Sequence, residues 1–171
     1  MPKNPEVILE TSLGVIKLEL FPDKAPATVA NFLTYVREGF YDGVIFHRII
    51  SNAIVQGGGF KPGMVLQEPT HPAIVNEARN GLKNERGAIA MARAYPIDSA
   101  ATQFFINVVD NPTLDHHGPD PLEFGYAVFG RVVEGMDVVD KMTWMPTGPV
   151  GDHRNVPQEN IIILKARIME E

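Results

Sequence analysis

The run Phe46-His47-Arg48-Ile49-Ile50, continuing through Ile54-Val55-Gln56 to Gly57-Gly58-Gly59-Phe60, is apolar and strand-like yet carries one arginine. A guanidinium stays charged in proteins and presents five donors, so Arg48 needs water, an anion or carbonyl acceptors around it. Leaving it unpaired in an apolar interior is costly. The strand is therefore expected to line a concave surface, with Arg48 pointing into a cleft toward a ligand.

The rest of the chain supplies many short strands around it. Val7, Leu9 and Thr11 alternate with Ile8 and Glu10, and Ile16, Leu18 and Leu20 alternate with Lys17 and Glu19. This period-2 pattern predicts a hairpin turning at Ser12-Leu13-Gly14. Pro26 suits the first position of a helix, and Val29, Phe32, Leu33 and Val36 recur at helical spacing before Gly39, predicting a helix over 26–38. Further strands are predicted over 44–50, 54–56, 88–92, 104–109, 126–133 and 161–168, with a short helix over 135–142. Long Gly/Pro loops fill 57–75 and 110–123. The pattern is that of an all-β barrel or sandwich plugged by helices.

Residues 1–171 are read as one domain, long enough to bury a core. A net charge of −6 argues against broad electrostatic binding to nucleic acid or anionic membrane. With no cysteine, disulfides, thiolate catalysis and cysteine-bound zinc drop out. The first residues lack the apolar core of a signal peptide, and no apolar run approaches the ~20 residues of a membrane span. A cytoplasmic protein is expected.

Most motifs with a chemical reading fail on inspection. The spacing Gly58 to Gly63 fits the first half of a phosphate loop, but Met64 stands where lysine belongs and Pro62 breaks the dinucleotide fingerprint. Close backbone approach explains the glycines better. His116-His117 with Asp115 and Asp120 lacks the fixed spacing of a metal site, and His47 reads as a hydrogen-bonded structural residue. No nucleophile elbow or strand-borne carboxylate pair occurs. What remains is a groove. Arg48 and Gln56, then Gln103 and Phe105, then Tyr126 offer an aromatic floor, carboxamides to grip an extended backbone, and a permanent cation.

At this point Phe46-His47-Arg48-Ile49-Ile50 with Gln56-Gly57-Gly58, Met91-Ala92-Arg93 and Gln103-Phe104-Phe105-Ile106-Asn107 resemble the cyclophilin signature. Ala25-Pro26, Asn31-Phe32, Tyr126-Ala127-Val128-Phe129-Gly130 and Gly135-Met136-Asp137-Val138-Val139 extend the resemblance along the chain, in its compact bacterial form. It implies a mainly β fold, an eight-stranded antiparallel closed barrel capped by two helices. It also implies peptidyl-prolyl cis-trans isomerase activity with no metal or organic cofactor. By motif position Arg48 is the catalytic arginine and Gln56 its neighbouring glutamine. Ala92 and Arg93 offer backbone contacts to the residue before proline, and Gln103 a polar contact. Ile54, Phe105 and Leu114 surround the proline ring. Tyr126 stands where many relatives have histidine. The implied partners are proline-containing peptides and unfolded or partly folded proteins, met by a monomer.

Two positions depart from the family pattern. Ala53 stands where phenylalanine is usual, and Thr113 precedes Leu114 where an aromatic is common. An aromatic side chain buries ~150–250 Å², so its loss from a proline pocket weakens grip on substrate and on cyclosporin-type inhibitors. These departures sustain a competing reading, a weakly catalytic or non-catalytic proline-peptide module using the same groove. A lipocalin-type barrel is disfavoured because the barrel-lining residues are bulky.

Overall fold

The computed structural model describes residues 4–169. β1 (Glu6–Thr11) and β2 (Gly14–Leu20) form the predicted hairpin, burying Val7, Leu9, Ile16, Leu18 and Leu20. α1 (Pro26–Arg37) turns Val29, Phe32, Leu33 and Val36 inward. Its cap comes from far away in sequence. The Glu77 carboxylate accepts from the Ala27 and Thr28 N–H groups at 3.2 and 2.7 Å, placing negative charge at the positive end of the helix.

β3 (Arg48–Ile50) and β4 (Ile54–Gly57) form a second hairpin through Ser51-Asn52-Ala53, with Asn52 in the left-handed region. Asparagine tolerates that conformation better than most residues. The predicted 57–75 loop contains a small hairpin, β5 (Phe60–Lys61) with β6 (Val65–Leu66). β7 (Ala88–Met91) and β8 (Phe104–Asn107) follow. β9 (Val128–Glu134) starts two residues later than predicted, because Tyr126 and Ala127 precede its ladder. After α2 (Met136–Thr143), a hairpin of β10 (Thr147–Val150) and β11 (His153–Pro157) occupies a stretch for which no strand is predicted. Its polar residues give no alternation to detect. β12 (Ile163–Ile168) ends the fold.

Eight strands form one antiparallel sheet in the order β12-β1-β2-β9-β7-β8-β4-β3. The sheet curls on itself, but its edges do not join as a strand ladder, so the expected closed barrel is closed more loosely. Residues 43–46, just before β3, bridge the gap: Gly43 N–H donates to Ile163 O at 2.7 Å, Ile163 N–H to Val44 O at 2.8 Å, and Phe46 N–H to Ile161 O at 2.9 Å.

The concave interior is solid with aromatic rings. Phe32 packs on Tyr41, Phe104 and Phe129 at centroid distances of 5.2–5.6 Å, and Phe46 meets Phe104 edge-on. Such packing leaves no lumen for a ligand. A second, smaller apolar cluster forms on the outer face from Ile54, Ala88, Ala90, Phe105 and Val128, with Leu114 and Tyr126 against it. Strand alternation thus sends Phe104 to the interior and Phe105 to the outside. The glycine triplet is explained by proximity. A Cβ on Gly57 would lie 2.8 Å from Ile45 O, and one on Gly59 would meet the Gln103 side chain at 2.5 Å.

Candidate active site

The outer cluster floors a groove, and the strand register explains how its residues come together. Arg48 pairs with Gln56 across β3 and β4, Gln56 with Phe105 across β4 and β8, and Phe105 with Ala90 across β8 and β7. Residues directly opposite share a face of the sheet. Arg48 therefore points outward while its neighbours His47 and Ile49 are buried.

A cavity of about 300 Å³ results. Arg48, Ala53, Ile54, Gln56, Ala92, Arg93, Phe105, Thr113, Leu114 and Tyr126 all line it. Gln103 lies in an adjoining cavity that shares Gln56, Ala92 and Arg93. The apolar wall is Ile54, Phe105 and Leu114, with the Tyr126 ring edge-on to Phe105 at 5.6 Å. Ala53 and the exposed Thr113 leave one side of this wall low.

A short polar relay crosses the groove. Arg48 Nη1 donates to Gln56 Oε1 at 3.1 Å, and Gln56 Nε2 donates to Gln103 Oε1 at 3.1 Å. The bond to Gln56 is the only one the Arg48 side chain makes among the described residues, and no carboxylate pairs with it there. Arg93 is bound differently. Its guanidinium donates to Gly125 O, Ala94 O, Tyr95 O and Pro121 O at 2.7–3.2 Å and stacks over Tyr126 at 5.0 Å. Ala92 gives its N–H to Gln103 O, so its carbonyl is the backbone group to consider for a ligand.

Residues that sequence inspection passed over hold the walls in place. Asn111 lines the cavity and donates to Ala53 O at 3.2 Å and to Asn107 Oδ1 at 2.9 Å. Asn107, fully buried, donates to Asn84 Oδ1, and Asn84 in turn donates to Leu114 O and to the buried Asp115 carboxylate. The Ala53 loop and the Leu114 wall are thus tied through three carboxamides. An asparagine inside the apolar run Phe104–Val109 is the signal from which this network could have been found. The Ser51-Asn52 turn is fastened separately, by Ser51 Oγ to Thr143 O at 3.0 Å and Asn52 N–H to Thr143 Oγ1 at 2.7 Å.

His47 is buried against Phe60 at 4.5 Å, but its Nδ1 has no hydrogen-bond partner among the described residues, contrary to the hydrogen-bonded role expected. Burial, then the nearby His153, then Arg48 push its pKa down from 6.5 to about 4. No cluster of three or more metal-ligating His, Cys, Asp or Glu side chains occurs among the described residues, the His116-His117 loop included.

The family model for cyclophilin type peptidyl-prolyl cis-trans isomerase/CLD matches residues 6–168. The chain belongs to the cyclophilin family of peptidyl-prolyl cis-trans isomerases. It is 52% identical over 164 residues to peptidyl-prolyl cis-trans isomerase B of Escherichia coli (strain K12), covering 96% of this chain and 99% of that one. It is 53% identical over 168 residues to peptidyl-prolyl cis-trans isomerase A of Dickeya dadantii (strain 3937), covering 98% and 86%. Among solved structures, a Cryptosporidium parvum cyclophilin crystallised in the presence of the dipeptide Ala-Pro superposes with a TM-score of 0.80 at 28% identity, covering 97% of this chain and 99% of that chain. This cyclophilin therefore shares its fold and family with proteins from bacteria and a protozoan. No helix among its described residues is long and apolar enough to cross a membrane.

Proposed function

We propose that this cyclophilin turns X–Pro bonds in the outer groove, with Arg48 as the catalytic residue. The observation that carries the assignment is a guanidinium exposed in the groove beside an apolar pocket, held by one hydrogen bond and neutralised by no described carboxylate. The proline ring sits against Ile54, Phe105 and Leu114, and the preceding residue lies toward Ala92 and Gln103.

Rotation about an X–Pro bond faces a barrier of ~20 kcal/mol and takes tens of seconds unaided. A millionfold acceleration requires about 8 kcal/mol of transition-state preference. As the amide twists, resonance is lost and the prolyl nitrogen gains a lone pair. Arg48 donates a hydrogen bond to it, an interaction the planar ground state does not offer. Such a charge-assisted bond contributes roughly 1.5–3 kcal/mol net, and more where water is excluded. Gln56 holds the guanidinium from behind, and gripping the peptide on both sides of the rotating bond supplies much of the remainder. The apolar pocket binds the ring in both states, so it acts mainly on KM.

The low wall at Ala53 and Thr113 favours weak substrate grip and weak cyclosporin binding, and it is the one feature that speaks for a binding module of low activity. Clients in this reading are proline-containing peptides and partly folded chains, bound by a monomer in the cytoplasm. Exchange NMR on a short Ala-Pro peptide tests the assignment. Rapid exchange with wild type and near-background exchange with folded Arg48→Ala are expected, and a near-native rate in the variant overturns the role of Arg48.

A further inference from the structure

The groove does not end at Arg48. On the far side of that residue a second cavity of about 230 Å³ is lined by His47, Arg48, Asp152, His153, Arg154 and Asn155. Its outer wall is β11, which packs beside β3. Arg86, Arg131 and Arg167 each pair with a carboxylate elsewhere on the surface. The Arg48 and Arg154 side chains have no carboxylate partner among the described residues, although the chain as a whole carries a net charge of −6. Arg48 and Arg154 against the lone Asp152 give the residues lining this cavity an excess of positive charge, with His153 exposed on the same rim.

With the X–Pro bond at Arg48, as proposed above, the peptide runs on toward this cavity after its proline. The residue before proline lies toward Ala92 at the end of β7, and the sheet then runs β8, β4, β3, with β11 next beyond. An extended chain advances ~3.3 Å per residue and neighbouring strands lie ~4.8 Å apart, so the single step from Arg48 on β3 to Arg154 on β11 takes one or two residues beyond the proline. We infer that the cavity between β3 and β11 is an anion subsite, taking a carboxylate carried one or two residues after the proline of the bound peptide. Arg154 is its specificity-determining residue. The inference rests on the groove being the X–Pro site.

The test compares rates within one enzyme, so partial misfolding of a variant cancels. Exchange NMR gives kcat/KM for amidated Ala-Pro-Ala-X peptides with X as Glu, Gln or Lys, and for a free-acid Ala-Pro-Ala-Ala. At low ionic strength the Glu peptide is expected to exceed the Lys peptide by about three- to fivefold, the ordinary size of an exposed ion pair. The gap closes at high salt. Arg154→Ala brings the Glu peptide down to the Gln peptide, and Arg154→Glu reverses the order. A free-acid peptide as fast as the Glu peptide identifies the chain-terminal carboxylate as an equal source, and a slower one assigns the subsite to acidic side chains. Equal wild-type rates for Glu and Lys peptides, or an unaltered preference in Arg154→Glu, overturn the subsite alone. No turnover of any peptide sinks the groove assignment, and the subsite falls with it.

Discussion

Two arginines line one groove, and their surroundings could hardly differ more. Arg93 spends its guanidinium on four backbone carbonyls from two loops and on the face of Tyr126. Arg48 donates once, to Gln56, and faces the cavity. The same side chain is a clamp where its donors are saturated and is open to a ligand where they are left available. Residue type and position along the groove do not separate the two roles; the count of satisfied donors does.

The comparison breaks most sharply if the arginines are removed in turn. Arg48→Ala is expected to lower kcat/KM at least a hundredfold, the usual cost of deleting one transition-state donor, with little change in Tm. Loss of Tm without loss of rate would make Arg48 another clamp.

The charge of Arg48 is also felt by His47, whose pKa is lowered to about 4 by burial first, then by His153 and Arg48. Because the unfolded chain binds this proton more readily than the folded one, the stability tied to neutral His47 is complete above pH 6.5. It is lost as pH falls from there toward 4. The loss amounts to at most about 3 kcal/mol. Chemical denaturation across this window should show a steep acid limb that His47→Phe flattens; an identical limb in the variant would place the proton elsewhere.

Arg93→Ala should give the converse of Arg48→Ala. About 2 kcal/mol of stability is expected to go, since removing the donor leaves the part-buried Gly125 and Pro121 carbonyls unpaired, corresponding to a Tm drop of about 4–8 °C. Its activity loss should fall mainly on KM through the displaced Tyr126, and a kcat loss rivalling that of Arg48→Ala would erase the distinction. The smallest effect is a gain. Ala53→Phe rebuilds the low wall and should lower KM by up to about tenfold, or 1.4 kcal/mol, with kcat little changed. An unchanged KM would show that another group already fills that side of the pocket.

Much of this was readable beforehand because its signals are local. Alternation in Val7 to Leu20 and the helical spacing of Val29, Phe32, Leu33 and Val36 follow from each strand or helix needing one buried face. Arg48 stood out because a charge in an apolar strand requires a reason. The β10–β11 hairpin did not stand out, since a polar pair of strands at the sheet edge carries no periodicity. The carboxamide network was missed: Asn107 in an apolar strand was its one local signal, and its partners Asn84 and Asn111 lie in loops whose approach depends on the whole sheet.

The amino-acid order by itself determined the strand faces, the family and the candidate groove residues, because alternation and motif are properties of neighbours along the chain. Only the tertiary structure decided which arginine is saturated and which is available. It alone decided that the sheet edges meet through residues 43–46 rather than by a ladder, and that β11 extends the groove past Arg48. Hydrogen-bond satisfaction is set by groups distant in sequence, and those are brought within about 3 Å only when the sheet has curled.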